Sequence, residues 1–435
     1  MTINRFEGRV GLHSGEAGIR PLRPWSRNGT MGRGRWWPAG WAAAVLGWSM
    51  AGCLALDWPH YRGPRYDGIS TESVPGAGWS AQGPAVAWKA SVGIGFAAVS
   101  VSGDRVYTTG NQNDTDTVYC LDARTGTVQW KHSYPCPLDP KYYEGGTLAT
   151  PTVDGDRVYT VSKQGQVYCL NAATGAVVWK ADLMKDFGLE RPTWGFSGSV
   201  LIQDRRAIIN AGNAGLALGT ADGRALWKSG AGAGGYSTPV PAAFSGQACA
   251  VLFGFRDVMA VRIEDGREVW RHPWKTRYDV NAADPIVWGN EVFIASGYDR
   301  GCALLDVSGK EPRVVWESKV IRSQVSGAVL IDGHLYGMDG NAGDEKGALK
   351  CVEWKSGRSV WSLPMVNGAL LAADGQLFAL GGKGELIWVA AKPQGPEIRA
   401  RAQVLQGKCW TMPVLANGRL YCRNTPGDLV CLTLR

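Results

Sequence analysis

A chain of 435 residues with 59 Gly, 20 Trp and only 19% charged residues suits many short strands joined by tight glycine turns, and argues against disorder over most of its length. Its formal charge of +8 is uneven, because residues 1–52 hold seven Arg against two Glu and leave +3 for the rest. That remainder has no Lys/Arg block able to follow a phosphate backbone, so no nucleic-acid partner is expected.

In chain order, residues 1–30 are polar and Arg-rich, and Met31-Gly32-Arg33-Gly34-Arg35 leads into an apolar run from Trp36 to Ala51. A basic lead before a short, Gly/Pro-interrupted apolar run is the layout of an export signal rather than of a transmembrane span of about 20 residues. Residues 1–52 are therefore expected to be an N-terminal extension and signal that is removed, with Met31 as an alternative start. The run ends in Met50-Ala51-Gly52-Cys53, which resembles the lipobox of bacterial lipoproteins. The resemblance implies lipidation of Cys53, a periplasmic chain in the bacterial cell envelope, and membrane attachment through that lipid alone. Met50 stands where the pattern prefers Leu, which leaves ordinary cleavage near Ala55 as the alternative.

Residues 53–83 read as a lead-in linker, and residues 84–435 carry an internal repeat. Cys120-Leu121-Asp122-Ala123-Arg124-Thr125-Gly126-Thr127-Val128-Gln129-Trp130 returns as Cys169-Leu170-Asn171-Ala172-Ala173-Thr174-Gly175-Ala176-Val177-Val178-Trp179. The frame recurs over Ala217 to Trp227, Ala260 to Trp270 and Cys351 to Trp361, and stretched over Ala303 to Trp316. Each copy reads as strand, turn, strand: the Asp or Asn bonds its own backbone, the Gly takes a positive φ, and the outer strand ends in Trp. An upstream hairpin such as the one at Asp154-Gly155 makes four strands per unit. Repeats of 40 to 50 residues built from such sheets bury their faces by stacking in a ring.

The expected fold is all-β: an eight-bladed β-propeller of four-stranded antiparallel blades, the last blade closed by the N-terminal strand around Val86-Ala87-Trp88-Lys89. The seventh unit lacks its Trp near Ile398 to Gln403, which predicts a weakened outer strand. Nine cysteines follow Cys53; Cys120, Cys169 and Cys431 recur at one place in the repeat and read as small buried hydrophobes. No Cys-x-x-Cys occurs and His60, His132, His272 and His334 are scattered, so no metal site is expected from them.

The Cys-Leu-Asp-x-x-Thr-Gly-x-x-x-Trp frame resembles the tryptophan-docking motif of the pyrroloquinoline quinone (PQQ) repeat. In that family the blades build quinoprotein dehydrogenases and also a non-enzymatic propeller lipoprotein of the outer-membrane barrel-assembly machinery. Asp57-Trp58-Pro59-His60-Tyr61-Arg62-Gly63-Pro64 is similar to a segment found ahead of such propellers in envelope proteins. The resemblance implies a monomeric envelope propeller that binds or scaffolds protein partners or a small ligand at its pore, without catalysis and without a cofactor. The alternative it carries is a PQQ-dependent dehydrogenase of alcohols or sugars, with Asp284 as base and calcium held by Glu144, Asn281 and Asp284. No adjacent cysteine pair occurs, which argues against the alcohol-dehydrogenase type. Loops entering the innermost strands would line the pore and place Glu144, Trp194, Tyr236, Asn281, Arg322, Gln324, Lys408 and Trp410 there. A third reading, carbohydrate binding, rests on the aromatic members Trp194, Tyr236 and Trp410.

Overall fold

The computed structural model describes residues 56–74, 78–80 and 82–434; the expected export signal and Cys53 lie outside them. Among the described residues there is no α-helix, and the strands form eight sheets whose innermost strands adjoin one another around a channel. The fold is an eight-bladed β-propeller. Blade 1 shows the plan: Ser100–Ser102 lines the channel, Arg105–Gln112 and Thr115–Asp122 follow, and Val128–Pro135 is outermost.

What joins blade to blade is the turn that the repeat encodes. In blade 1 the Asp122 carboxylate accepts from the backbone N–H of Arg124 and Thr125, at 2.9 Å each, and Gly126 has φ +72°. This turn lies under Trp88 of the preceding blade, whose indole N–H donates to Ala123 O at 3.0 Å. A Cβ on Gly126 would sit 2.5 Å from the Trp88 ring. The pairing repeats as Trp130 on Gly175, Trp179 on Gly223, Trp227 on Gly266 and Trp316 on Gly357. Each of these indoles donates to a turn carbonyl three residues before its glycine, at 2.8–3.0 Å. Trp270 faces the stretched turn of blade 5 and its Nε1 has no protein partner.

Directly across the ladder from the docking Trp stands a small residue in six blades, Cys120, Cys169, Cys351 and Cys431 with Ala217 and Ala260, whereas Leu304 stands opposite Trp316 in blade 5. This accounts for much of the cysteine content. All nine described cysteines are buried and unpaired, and burial pushes thiols such as Cys120 up to about 11 and Cys136 up to about 12, so they remain neutral and unreactive at physiological pH.

Blade 7 inverts the arrangement. Ala400 occupies the docking position, and its cross-strand partner is Trp388, fully buried with its indole N–H on Gln376 Oε1 at 2.9 Å. Trp79 packs 5.4 Å from Trp388, beside Ala400 and Val404. The aromatic volume is thus kept on the neighbouring strand, and the outer strand Glu397–Gln403 pairs along its length with Glu385–Ala390.

In the last sheet Ala85–Ser91 lies beside Asp428–Thr433, followed inward by Arg419–Arg423 and Val414–Ala416. Arg423, fully buried, donates to Ala97 O, Thr108 Oγ1, Thr109 O and Gly93 O at 2.7–3.0 Å and so stitches blade 8 to blade 1. With no carboxylate partner, burial lowers its guanidinium to about 9.

Residues 56–74, expected as a linker, pack inside the ring. Trp58 exchanges two backbone hydrogen bonds with Val101 of blade 1, and Pro59 O accepts from Val153 N of blade 2. Tyr66 joins the core of blades 3 and 4, Arg62 donates to Ala328 O beside blade 6, and Ile69–Ser70 pairs parallel with the innermost strand of blade 7. Glu72 then accepts from Gly418 N of blade 8. Gly63 is required by close approach, since at φ +75° its Cβ would lie 2.7 Å from the Trp58 ring. This segment closes the end of the channel at which the innermost strands turn back.

The docking contact yields a paired test. Gly155 and Gly175 both have positive φ, but nothing lies within 4 Å of a Cβ at Gly155 while Trp130 is 2.5 Å from one at Gly175. Both alanine substitutions carry a left-handed backbone cost of about 1–2 kcal/mol; Gly175→Ala should cost about 1–3 kcal/mol more through displacement of the ring. Urea-unfolding midpoints of the two variants measure the difference.

Candidate functional site

At the other end of the channel the loops that enter the innermost strands converge on a cavity of about 410 Å³. Phe96 stands between Trp410 and Tyr143, with ring centroids 5.4 and 5.5 Å away, and Trp194 follows Tyr143 at 6.1 Å. Tyr142, Tyr236 and Tyr298 complete an aromatic wall, and Tyr61 of the channel-filling segment forms the floor. The cavity is therefore blind.

One carboxylate lines it. Asp284 is 5% exposed; its Oδ1 accepts from Thr238 N at 2.8 Å, and its Oδ2 has no protein partner. Burial pushes it up to about 7, against the opposing pull of the Arg62 charge and the Thr238 N–H. Arg62 is itself fully buried, donating to Tyr66 O, Asp67 O and Ala328 O. Burial also raises Tyr61, which stays a neutral phenol.

Of the residues expected at the pore, Trp194, Tyr236, Gln324, Trp410 and Asp284 line this cavity. Gln324 is held by Tyr298 and Ala342: its Nε2 donates to Tyr298 Oη and its Oε1 accepts from Ala342 N, both at 2.9 Å. Glu144 and Lys408 form an ion pair at 2.6 Å, with Lys408 Nζ 4.4 Å above the Trp410 ring. Arg322 is committed to Asp339 through two bonds of 2.9 Å. Asn281 is fully buried away from the cavity, donating to Gly254 O and Trp274 O and accepting from Ser296 Oγ at 2.8 Å.

Glu144, Asn281 and Asp284 consequently do not make a calcium cradle. The Asn281 oxygen is taken by Ser296 and the Glu144 charge by Lys408, whereas calcium asks for six to eight oxygens. Among the described residues no three His, Cys, Asp or Glu side chains gather in a metal-ligating group. The donor set in this pocket does not fit the metal that the dehydrogenase reading requires.

Tyr61, Phe96, Tyr142, Tyr143 and Tyr298 were not among the expected pore residues. Tyr142 and Tyr143 sit in the same entry loop as Glu144 and carried a readable signal. Tyr61 belongs to a segment remote from every blade in sequence, and no periodicity points to it.

A ring of tryptophan-docked blades around a channel defines a quinoprotein-type propeller. The family model described as outer membrane protein assembly factor BamB matches residues 114–363, more than half of the chain, and the chain belongs to that family. Among solved structures it is similar to BamB from Moraxella catarrhalis, with TM-score 0.58 and 15% identity over 80% of this chain and 99% of that one. It is also similar to the quinohemoprotein alcohol dehydrogenase of Comamonas testosteroni (TM-score 0.65, 14% identity, 87% of this chain and 80% of that one). A europium-containing methanol dehydrogenase matches with TM-score 0.63 and 12% identity over 86% and 89%. At these identities the likeness is one of fold. No curated protein sequence matches the chain.

Asp284 imposes a pH signature on stability. Its folded value, about 7, lies above the ordinary value of 3.8, so between these the folded chain binds more protons than the unfolded one and stability falls as pH rises through that window. Asp284→Asn should flatten this decline and leave the variant more stable than the parent at pH 8. Thermal midpoints from pH 4 to pH 8 measure it; an unchanged slope would show that Asp284 is not the titrating group.

Proposed function

We propose that the chain acts in the bacterial envelope as a binding and scaffolding propeller, held to a membrane by a lipid on Cys53, and that it is not an oxidoreductase. The observation that carries this reading is the donor set of the channel mouth: an aromatic, blind pocket with one uncommitted carboxylate and no calcium cradle. Membership of the BamB-described family supports a role in protein interaction and a periplasmic location. The blade edges and entry loops offer a rigid face for a protein partner, and the pocket takes a small ligand.

The competing reading is a PQQ-dependent dehydrogenase, favoured by the overlay on the quinohemoprotein enzyme. Calorimetric titration of residues 54–435 with PQQ, with and without calcium, separates the two. No heat of binding is expected in either condition from protein shown to be folded by circular dichroism. Tight, calcium-dependent binding would overturn the scaffold reading and make Asp284 the first residue to mutate in an alcohol-oxidation assay.

A further inference from the structure

We infer that the plugged end of the ring is a seat for a zwitterionic lipid surface, and that it holds the pocket mouth turned away from the membrane. This deepens the binding role proposed above and rests on the attachment through Cys53 that belongs to it. Three features of the plugged end carry the inference.

The first is where the chain enters the ring. Leu56 N donates to Asn417 Oδ1 at 2.7 Å, and Asp57 Oδ1 accepts from Gly103 N at 2.9 Å and from Asn417 Nδ2 at 3.2 Å. Asn417 and Gly103 lie in the turns that close the innermost strands of blades 8 and 1, so residues 56 and 57 are lashed to the plugged end. Only Leu54 and Ala55 separate Leu56 from Cys53, a reach of about 11 Å at full extension. The flank of the ring is three strands further out, at about 14 Å. A lipid on so short a tether reaches neither the mouth nor round the flank, and brings the plugged end to the bilayer.

The second is the distribution of exposed apolar side chains. Among the described residues twelve large ones are exposed, and of these Tyr142 and Tyr278 stand in entry loops at the mouth. The other ten lie at the plugged end: Leu56, Trp288 at the close of an innermost strand, and eight within the first three residues of an outermost strand, in six of the eight blades. Trp288 is 66% exposed, and an indole settles at the level of lipid headgroups. The aliphatic side chains form a discontinuous rim around it. Exposed apolar residues scattered singly over a surface are ordinary; their gathering at the tethered end is what a lipid contact requires.

The third is charge. Basic side chains at this end lie on acidic neighbours, as Arg65 on Asp67 at 2.8 Å, Arg157 on Asp156 at 3.3 Å, Arg313 on Asp306 at 2.9 Å and Lys355 on Glu291 at 2.8 Å. Locally neutralised pairs give no polybasic attraction to anionic lipid, and they match headgroups that carry both signs.

The test is fluorescence quenching of the full lipid-bearing chain on phosphatidylcholine vesicles doped with nitroxide-labelled phosphatidylcholine. Fluorophores are attached in separate variants, Trp288→Cys, Val128→Cys and Val315→Cys at the plugged end and Tyr142→Cys and Tyr278→Cys at the mouth. The nine native described cysteines are buried and stay unlabelled. Circular dichroism checks the fold, and the mass of the N-terminal peptide checks the lipid on Cys53. Quenching at position 288 should exceed that at positions 142 and 278 several-fold. Positions 128 and 315, in blades 1 and 5 on opposite sides of the ring, should respond alike. Quenching at the mouth, at only one of positions 128 and 315, or only after phosphatidylglycerol is added would overturn the inference. So would no quenching at any position, which would leave the plugged end to water or a protein partner. In each of these cases a lipid found on Cys53 leaves the attachment standing; an unmodified Cys53 would instead fail the attachment, and the seat with it.

Discussion

The structure depends on one contact made many times: an indole laid flat on a glycine turn of the next blade, its N–H bound to that turn's carbonyl. A four-stranded sheet has two apolar faces and cannot bury both alone. The docking Trp fixes how far one blade slides and tilts against the next, since it is anchored by both a van der Waals stop and a directional hydrogen bond. Because the glycine must be bare and positive in φ, the turn and the Trp form one constraint. Cys120, Cys169, Cys351 and Cys431 occupy the position opposite the Trp as small buried hydrophobes.

With that spacing set, the ring leaves an axial channel, and the chain fills one end with its own residues 56–74. The result is a vessel with one mouth. The filling segment supplies the aromatic floor, Tyr61, and places the Arg62 charge near Asp284, so residues outside the repeats tune the one carboxylate that the entry loops bring to the cavity. Packing and electrostatics of the pocket are therefore coupled to a segment that belongs to no blade.

The blades were legible because the turn chemistry of Asp122 to Gly126 and its copies is local and strict. Blade 7 was legible as a unit but its outer-strand packing was not, because exchanging Trp388 and Ala400 across the ladder preserves volume while erasing the pattern on the outer strand. In the pocket, Trp194, Tyr236, Gln324, Asp284 and Trp410 were readable from their place just ahead of an innermost strand. Asn281 shares that place and yet turns inward, where the loop carbonyls of Gly254 and Trp274 needed its amide. Glu144 and Lys408 satisfied each other between the entry loops of blades 2 and 8, a pairing 264 residues apart in sequence that no local reading reaches.

The channel-filling segment also bears on how the molecule comes to exist. Leu56 N donates to Asn417 Oδ1 across 361 residues of chain, so the earliest described stretch to be synthesised reaches its partner only when the last blade is nearly complete. The ring must assemble around a core it already contains. Contacts of such sequence separation close slowly, and an incomplete ring leaves strand edges open to other chains. Because residues 56–74 contact blades 1, 2, 6, 7 and 8, their release would break contacts to most of the ring at once, which raises the barrier to opening as well as the depth of the native well.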